Sequence, residues 1–492
     1  MYANILTSCL RLIAAAASVA SAFTDSEYGQ TAFTVGNPQL VETLSAIHSS
    51  FFTTLRHAMF PKHSARIRRT RFCDHTVRSY SGYIDVEDKH LFFFFFESRS
   101  DPDSDDVIYW TNGSPGGSAS MGLFMELGPC RVDNATEEPK FHPESWNSKA
   151  NILFVDQPIG TGFSYADNGR LLHTTEDAAH DIAAFIAIFF ENFQSFQGRA
   201  LHMAGESYAG RFIPLFASAI YDQNTVLMEH GLTPINLVSA IIGNGQTDRV
   251  GLLLSYYDFV CTPASVPPVL SISTCIRMKQ AYPRCKKWAT DACIDQFDAM
   301  NCQAAQAFCW NELVVPYGIT GRNHYYLTEH CPDGIQDNCY PVIKEITDFL
   351  NRPDVRETIG VDPSFQKNIS LVAKDVFDTF NNAGDNMHDS TPYVAALLER
   401  GVRVLIYAGT YDWACNWVAN EAWTRTLKWS GKDVFATQEL REWTVGGGVA
   451  GKTRNAWGLT FATIDEAGHL APYDKPKESL AMINRWITNK PL

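Results

Sequence analysis

Hydrophobic and polar positions along this chain predict strands that alternate with helices. The segment SYSGYIDVEDKHLFFFFFESR first alternates and then becomes continuously aromatic, which predicts two strands joined by the charged turn Glu87-Asp88-Lys89. The consecutive phenylalanines at 92–96 predict a strand that is buried on both faces. Such a strand belongs in the middle of a layered fold, because both of its faces must be covered.

Later segments continue this order of strands and helices. Thr174 is predicted to cap a helix over TTEDAAHDIAAFIAIFFENF, with Asp177 three residues later, and KESLAMINRWI predicts a helix near the C-terminus. Apolar runs predict buried strands at NILFVDQP, LHMAG, 238–245, 402–409 and 459–468. Strands separated by helices predict an α/β fold with a mostly parallel central sheet and helices on both faces.

The N-terminal region differs in character from the rest. Arg11 precedes the apolar run LIAAAASVA and the small-x-small pattern Ala20-Ser21-Ala22, which predicts a signal peptide over 1–22; a buried alanine-rich helix is the alternative. Residues 23–78 show little periodicity and include the basic run ARIRRTR. They are interpreted as a surface arm or as a pro-segment. No later apolar run is long enough to cross a bilayer, so we expect no membrane association after signal removal.

Net charge and cysteine content limit the possible partners and the cellular compartment of the protein. The chain has 492 residues, 40 of them basic and 54 acidic, and the net charge of −14 argues against a nucleic-acid partner. Beyond Cys9 there are 11 cysteines, with seven between Cys261 and Cys331. This density favours disulfides formed in an oxidising compartment over a zinc site, since paired CxxC spacing is missing. With the sequons at Asn134 and Asn368, it predicts a glycosylated protein that is secreted or vacuolar.

One short motif indicates chemistry. HMAGESYAGRFIP places Ser207 between small residues just after a predicted strand, which is the pattern of the nucleophile elbow in α/β-hydrolases. That fold needs an acid and then a histidine in loops after later strands, and Asp412 and His469 stand there in the required order. His469 would take the Ser207 proton and return it to the leaving amine, while Asp412 fixes the imidazole tautomer.

Several ordered motifs between about Tyr80 and Ile487 resemble those of the serine carboxypeptidase family of fungi and plants. They are YSGYID, WTNGSPGGSASMGLFMELGP, FVDQPIGTGFSY, GESYAGRFIP, IGNG, YAGTYDWACNW and AGHLAPYDKP. The resemblance implies an α/β-hydrolase fold with an inserted cap, acting on peptide or protein C-termini in acid, with no metal or organic cofactor. The pattern breaks down into Cys, Pro and aromatic residues after about 250. We therefore predict hydrolase segments at 79–250 and 346–492 and a cap at 251–345.

The resemblance also implies binding roles. The main-chain N–H groups of Ser114 and Tyr208 correspond to the oxyanion hole. Asn112 and Glu206, supported by Glu126, correspond to the site for the substrate carboxylate. A proton shared by the two glutamates would raise their pKa, so acid would favour binding of an anionic peptide. The alternative is that Glu206 is only an elbow residue and Glu126 a charge on a helix surface.

The chain departs from the family pattern near the oxyanion hole. The run Gly113-Ser114-Pro115-Gly116-Gly117 stands where relatives have Gly-Gly-Pro-Gly-Cys. Ser114 keeps the N–H, but a positive φ there costs a non-glycine residue on the order of 1 kcal/mol or more. Thr410 also replaces a common Asp, two residues before Asp412.

The cysteines follow the family pattern by resemblance. Cys415 corresponds to a free thiol near the active site, which accounts for the odd count. The implied cap pairs are Cys261–Cys275, Cys285–Cys309 and Cys293–Cys302. The remaining cysteines would pair among themselves in an unspecified order; they are Cys73, Cys130, Cys331 and Cys339.

The predicted function is a serine carboxypeptidase that forms an acyl-enzyme. Two alternatives remain at this point. The same triad could transfer the acyl group to an alcohol, as related acyltransferases do. A secreted binding protein could also use this scaffold if Ser114 disabled the oxyanion hole. Oligomeric state and side-chain preference stay open, because the walls of the substrate site come from the divergent cap.

Overall fold

A mixed β-sheet forms the centre of the molecule. The computed structural model describes residues 47, 49, 52–56, 61–331 and 339–492. Within them the strands, in chain order, are β1 (Thr53–Arg56), β2 (His63–Thr70), β3 (Ser79–Val86), β4 (Lys89–Phe96), β5 (Val107–Thr111), β6 (Cys130–Arg131), β7 (Lys140–Phe141), β8 (Asn151–Val155), β9 (Tyr165–Ala166), β10 (Ala200–Glu206), β11 (Asn236–Gly243), β12 (Arg403–Gly409), β13 (Arg441–Val445), β14 (Gly448–Ala456) and β15 (Leu459–Ile464). All but β6 and β7, which pair separately, belong to this sheet.

The sheet is parallel at its centre and antiparallel at both ends. The strand order is β1-β2-β3-β4-β8-β5-β10-β11-β12-β15-β14-β13, with β9 paired to β4. Strands β8, β5, β10, β11, β12 and β15 are parallel neighbours, as predicted from the alternation of strands and helices. The antiparallel flanks make the whole sheet mixed, which the sequence did not show.

Helices cover both faces of this sheet, as predicted. Thr174 caps the first helix by accepting a hydrogen bond from the Asp177 N–H, which confirms the predicted N-cap. The described helices are α1 (Thr175–Asn192), α2 (Ala209–Glu229), α3 (Arg249–Cys261), α4 (Ile272–Ala289), α5 (Ala299–Cys309), α6 (Val315–Gly318), α7 (Val342–Leu350), α8 (Pro353–Ile359), α9 (Lys374–Ala383), α10 (Thr391–Glu399), α11 (Trp417–Thr426), α12 (Lys432–Thr437), α13 (Ala471–Asp474) and α14 (Pro476–Ile487). None of the described helices is both long and apolar enough to cross a membrane.

The phenylalanine run is buried on both faces of β4, as predicted. Each ring from Phe92 to Phe96 is at most 3% exposed. Phe95 packs against Phe189 of α1 with ring centroids 5.3 Å apart, whereas Phe94 contacts Phe124 from the other side of the sheet at 5.9 Å. Alternate side chains of one strand thus join the two apolar layers.

The basic run forms a sheet strand and not the predicted surface arm. In β2, Ala65 and Ile67 are buried while the intervening arginines are partly exposed. Arg66 is held by ion pairs of 2.7 Å to both Asp85 and Asp362, so its charge is neutralised beside the sheet. The alternation of buried and exposed positions in β2 was not recognised in the sequence, because the run of arginines was interpreted as a charged surface segment. The predicted signal peptide at 1–22 lies outside the described residues, as does most of 23–60.

The segment between β11 and β12 contains its own apolar core. Side chains of α3, α4 and α5 surround Met278, Cys285 and Tyr317, all of which are fully buried. The disulfides there are Cys261–Cys275, Cys285–Cys309 and Cys293–Cys302, which confirms the implied pairs. The remaining cysteines form Cys73–Cys130 and Cys331–Cys339. Cys415 is the free cysteine of the described residues.

Candidate active site

Ser207 lies on a sharp turn between β10 and α2. Its φ is +61°, a left-handed conformation that strains a residue with a side chain. The neighbouring glycines make the turn sterically feasible. A Cβ on Gly205 would lie 2.6 Å from the Ala209 Cβ, and one on Gly210 would lie 2.6 Å from the Gln246 N. The strand, turn and helix predicted around Ser207 are therefore present, and its side chain is partly exposed.

Asp412 and His469 meet after neighbouring strands. Asp412 follows β12 and His469 follows β15, and these strands are parallel partners. His469 Nδ1 and Asp412 Oδ2 are 2.8 Å apart, and both residues are buried. The Tyr325 ring packs on the imidazole at a centroid distance of 4.9 Å, and the Tyr325 carbonyl accepts from the His469 N–H at 2.8 Å. These contacts leave Nε2 as the ring nitrogen that is free for proton transfer.

The Asp412 carboxylate is held by further donors. Asn244 Nδ2 donates to Asp412 Oδ2 at 2.8 Å, and the Cys415 N–H donates to the same oxygen at 3.1 Å. Asn244 itself is fixed, because its Oδ1 accepts from the Gly409 N–H at 3.2 Å. Sequence reasoning had not assigned a role to Asn244. The signal was in the motif IGNG, at the end of β11 beside β12.

Ser207 and His469 share two cavities but are not hydrogen-bonded to each other in this structure. Such bonds are often long before substrate binds and tighten in the complex. The Cys415 thiol lines the larger of these cavities together with Ser207. Burial, followed by the nearby charge of Asp412, raises the pKa of this thiol well above its ordinary value, so it stays protonated.

The charge state of His469 follows from opposing effects. Burial disfavours the imidazolium, but the negative charge of Asp412 and the hydrogen bond to it favour that form, and Glu126 adds to the effect. The net result is a pKa of His469 above its ordinary value of 6.5. A base that holds protons more strongly than free histidine is suited to accept one from a hydroxyl.

Two main-chain N–H groups adjoin Ser207. Neither the Ser114 nor the Tyr208 N–H donates to an acceptor within the described part of the chain. Ser114 has φ = +42°, so the left-handed conformation that makes a side chain costly there is present. Gly113 brings the two segments together, since a Cβ on it would lie 2.3 Å from the Tyr208 N and 2.6 Å from the Ser207 Cβ. The two N–H groups thus adjoin Ser207 without an acceptor, which is the arrangement that the predicted oxyanion hole requires.

Glu206 and Glu126 form a buried carboxyl pair. Asn112 Nδ2 donates to Glu206 Oε1 at 2.9 Å and to Glu126 Oε1 at 3.0 Å. The Oε2 atoms of both glutamates are buried without a hydrogen-bond partner among the described residues, and a proton shared between the two carboxyls would satisfy them. Burial, and then the charge of Glu126, raises the pKa of Glu206 well above its ordinary value, and burial raises that of Glu126 as well.

The Asn112 amide is oriented by its own neighbours. Its Oδ1 accepts from Trp110 Nε1 at 2.8 Å and from the Gly122 N–H at 3.0 Å, so Nδ2 must face the glutamates. Gly122 begins the π-helical turn Gly122–Glu126, which points Glu126 inward. The predicted trio therefore converges, although Glu126 lies in a buried turn and not on a helix surface.

Two cavities meet at Ser207 and His469. The smaller, of about 40 Å³, is lined by Glu206, Ser114 and aromatic residues such as Tyr340. The larger, of about 460 Å³, extends away from Glu206 towards Tyr256 and Trp413. The first has room for a few atoms beside the carboxyl pair, whereas the second has the size of a ligand pocket. Both depend on the insert, which supplies Tyr325 to each.

Other predicted residues lie outside these cavities. Thr410, which replaces a common Asp, accepts a hydrogen bond from the Glu466 N–H at 2.8 Å through its side chain. Asn134 is partly exposed and bonds to Glu137, while Asn368 is exposed. Neither sequon lines the cavities at Ser207. Their glycosylation stays a prediction.

Comparison with known proteins adds independent information. The family profile described as serine carboxypeptidase matches residues 71–489. Carboxypeptidase Y of Candida albicans is 39% identical over 435 residues, which are 88% of this chain and 77% of that protein. Carboxypeptidase Y of Saccharomyces cerevisiae is 38% identical over 420 residues, covering 84% of this chain and 76% of that protein.

A solved structure has the same fold. It is the crystal structure of Kex1, a prohormone-processing carboxypeptidase from Saccharomyces cerevisiae. It matches with a TM-score of 0.70 at 24% identity, over 85% of this chain and 93% of that chain. At this identity the likeness shows the fold alone, and it agrees with the α/β-hydrolase architecture predicted from the motifs.

Proposed function

Because this chain belongs to the serine carboxypeptidase family, we propose that Ser207, His469 and Asp412 carry out its peptide hydrolysis. The observation that carries the proposal is the buried hydrogen bond between His469 and Asp412, formed at the cavities that Ser207 lines. A nucleophile, a base and an orienting acid are the parts that acyl transfer requires.

The reaction proceeds in two halves. Ser207 Oγ attacks the peptide carbonyl carbon while its proton moves to His469 Nε2, and Asp412 stabilises the resulting imidazolium. The carbonyl oxygen becomes an oxyanion that accepts from the Ser114 and Tyr208 N–H groups. The C–N bond then breaks, and His469 gives its proton to the leaving amine. Water repeats these steps on the acyl-enzyme, restoring the Ser207 hydroxyl and releasing the shortened peptide.

The carboxyl pair accounts for exopeptidase selectivity. The small cavity beside Glu206 receives the terminal carboxylate of the peptide, which accepts a hydrogen bond from a protonated Glu206. Asn112 positions the pair, because its two Nδ2 hydrogens are donated to the glutamates. An ionised pair would repel that carboxylate. Binding is therefore strong below the raised pKa of the pair and is lost as pH rises through it. This sign favours substrate binding in acid, whereas the raised pKa of His469 means that the imidazole is neutral, and able to act as a base, only towards higher pH.

We also propose a place in the secretory pathway, either secreted or vacuolar. The described disulfides fit an oxidising compartment. The predicted signal at 1–22 and sequons at Asn134 and Asn368 agree with that route. Likewise, we propose that 251–345 acts as a cap on the hydrolase segments, supported by Tyr325 and Tyr340, which cover the cavities at Ser207.

Labelling and hydrolysis test the proposal together. The wild-type protein should react with a fluorophosphonate probe and release free amino acids from N-blocked dipeptides between about pH 4 and 7. Ser207→Ala should lose both activities, while Ser218→Ala, a partly buried serine farther along α2, should keep them. Absence of labelling would favour a binding protein. Labelling combined with transfer from an acyl-glucose donor, and no dipeptide hydrolysis, would favour an acyltransferase.

A further inference from the structure

Arg249 presents a guanidinium without a carboxylate partner to the larger cavity. It begins α3 and lines that cavity together with Ser207 and His469. Its Nε is buried and bonds to no acceptor, and its recorded side-chain bond is a long one of 3.4 Å from Nη1 to Gln246 Oε1. A buried donor left without an acceptor is costly, so this arrangement needs an explanation.

Two other arginines with largely buried side chains are neutralised by acids. Arg211 pairs with Asp385 at 2.8 Å, and Arg99 pairs with Asp74 at the same distance. No described residue forms an ion pair with Arg249. Its neighbour Asp248 is engaged elsewhere, because its carboxylate accepts from the Gly251 N–H at 2.8 Å. The missing acid is therefore one that a ligand can bring.

The charge of Arg249 acts at the reacting centre. Burial raises the pKa of Cys415, Tyr208 and Tyr256, and the positive charge of Arg249 opposes that rise in each case. These groups surround the Ser207 side of the larger cavity. A substrate group that enters this cavity thus experiences the positive field of Arg249.

The position of the cavity identifies the part of the substrate that enters it. Under the proposed function, the terminal carboxylate lies at Asn112 and Glu206, in the small cavity. The scissile carbonyl lies at Ser207, between the cavities. The side chain of the penultimate residue, on the acyl side of the broken bond, is then directed into the larger cavity beside Arg249.

We propose that Arg249 determines specificity by favouring peptides whose penultimate residue is Asp or Glu. A carboxylate there supplies the charged acceptor that the guanidinium lacks, and Arg–carboxylate pairs are strong and directional. A basic side chain at the same place meets a like charge and is disfavoured. The proposal rests on the proposed function, since it uses the same site and direction of substrate binding.

The test compares near-isosteric substrates. N-blocked Glu-Leu, Gln-Leu and Lys-Leu are hydrolysed at about pH 5.5, where a glutamate side chain is ionised. In wild type, kcat/KM for Glu-Leu should exceed that for Gln-Leu at least about tenfold, with Lys-Leu lowest. Arg249→Gln should bring this ratio near one, and Arg249→Lys should keep part of it. Arg425→Gln, an exposed charge change on α11, serves as the control.

Binding separates failure of this inference from failure of the proposed function. Calorimetry with Ser207→Ala measures affinity for the Glu and Gln peptides without turnover, and Ser207→Ala/Arg249→Gln measures it without the guanidinium. Tighter binding of the Glu peptide that depends on Arg249 supports the inference even if no peptide is cleaved. Equal ratios with and without Arg249, in hydrolysis or in binding, would overturn it.

Discussion

Replacing Glu206 with glutamine tests whether a proton held between two carboxyls sets the pH dependence of peptide binding. Glu206 Oε1 accepts from Asn112, and a glutamine oxygen can keep that bond. The Oε2 atoms of Glu206 and Glu126 are buried and have no hydrogen-bond partner among the described residues. A glutamine Nε2 in place of Oε2 carries its hydrogens at every pH, so it can donate to Glu126 and to substrate without titrating.

The expected magnitude follows from proton linkage. Burial and then Glu126 hold the pKa of Glu206 well above 4.5. If binding requires one proton on the pair, KM is constant below that pKa and rises by up to about tenfold per pH unit above it, or about 1.4 kcal/mol per unit. Glu206→Gln should flatten this rise to within about twofold over the same range.

Steady-state kinetics on an N-blocked dipeptide from pH 4 to 8 separate KM from kcat. Another buried acid could produce the same slope: burial raises the pKa of Asp474 to about 7, and this side chain accepts from the Gly468 N–H beside His469. Asp474→Asn is therefore the matched control and should keep the wild-type rise of KM. If Glu206→Gln keeps that rise while Asp474→Asn removes it, the carboxyl pair does not govern substrate binding.

Two further changes test the surroundings of Ser207. Ser114→Gly removes left-handed strain of about 1–2 kcal/mol but adds about 0.5–1 kcal/mol of unfolded-state entropy, so stability should rise by up to about 1.5 kcal/mol. A lower unfolding midpoint would show that the Ser114 side chain contributes more than it strains. Asn244→Gly keeps its φ of +43° at low cost but deletes the amide that holds Asp412, so kcat should fall at least about tenfold with little change in KM. An unchanged kcat would exclude that positioning role.

The elements that the sequence predicted share strong local signals. Strand β4 carries phenylalanine at every position from 92 to 96, and α1 begins at a capping Thr174. Both patterns depend on neighbours within a few residues. The order of Ser207, Asp412 and His469 also follows from single positions after apolar strands, because parallel strands bring their carboxyl ends to one edge.

The elements that were missed depend on distant partners. The hairpin of β13 and β14 turns at Gly446 and Gly447, both with positive φ, but β13 buries only Trp443, so its alternation is weak. The sequence of β2 was interpreted as a charged arm because the ion pair of Arg66 with Asp362 joins residues that are far apart in sequence. The local periodicity of the sequence therefore predicts neither strand.

The candidate site likewise contains residues that local motifs predicted and residues that depend on distant partners. Residue types in motifs indicated the nucleophile, base and acid. The amide of Asn244 reaches Asp412 only because β11 and β12 are neighbours in the sheet. Arg249 belongs to none of the motifs that indicated chemistry. Its lack of an acidic partner depends on where the nearby carboxylates lie in three dimensions, which the sequence does not show.

Gly113 allows close contact between its own loop and the turn that carries Ser207 and Tyr208, which is remote in sequence. Its backbone lies where a methyl group would collide with both the nucleophile and its neighbouring amide. The spacing between Ser207 and the Ser114 and Tyr208 N–H groups is thus enforced by van der Waals contact, whereas the position of His469 also depends on Tyr325 of the insert. Substitutions elsewhere in the insert can therefore change the walls of the cavities at Ser207 while this spacing stays constant, so specificity and the backbone geometry around Ser207 can evolve separately.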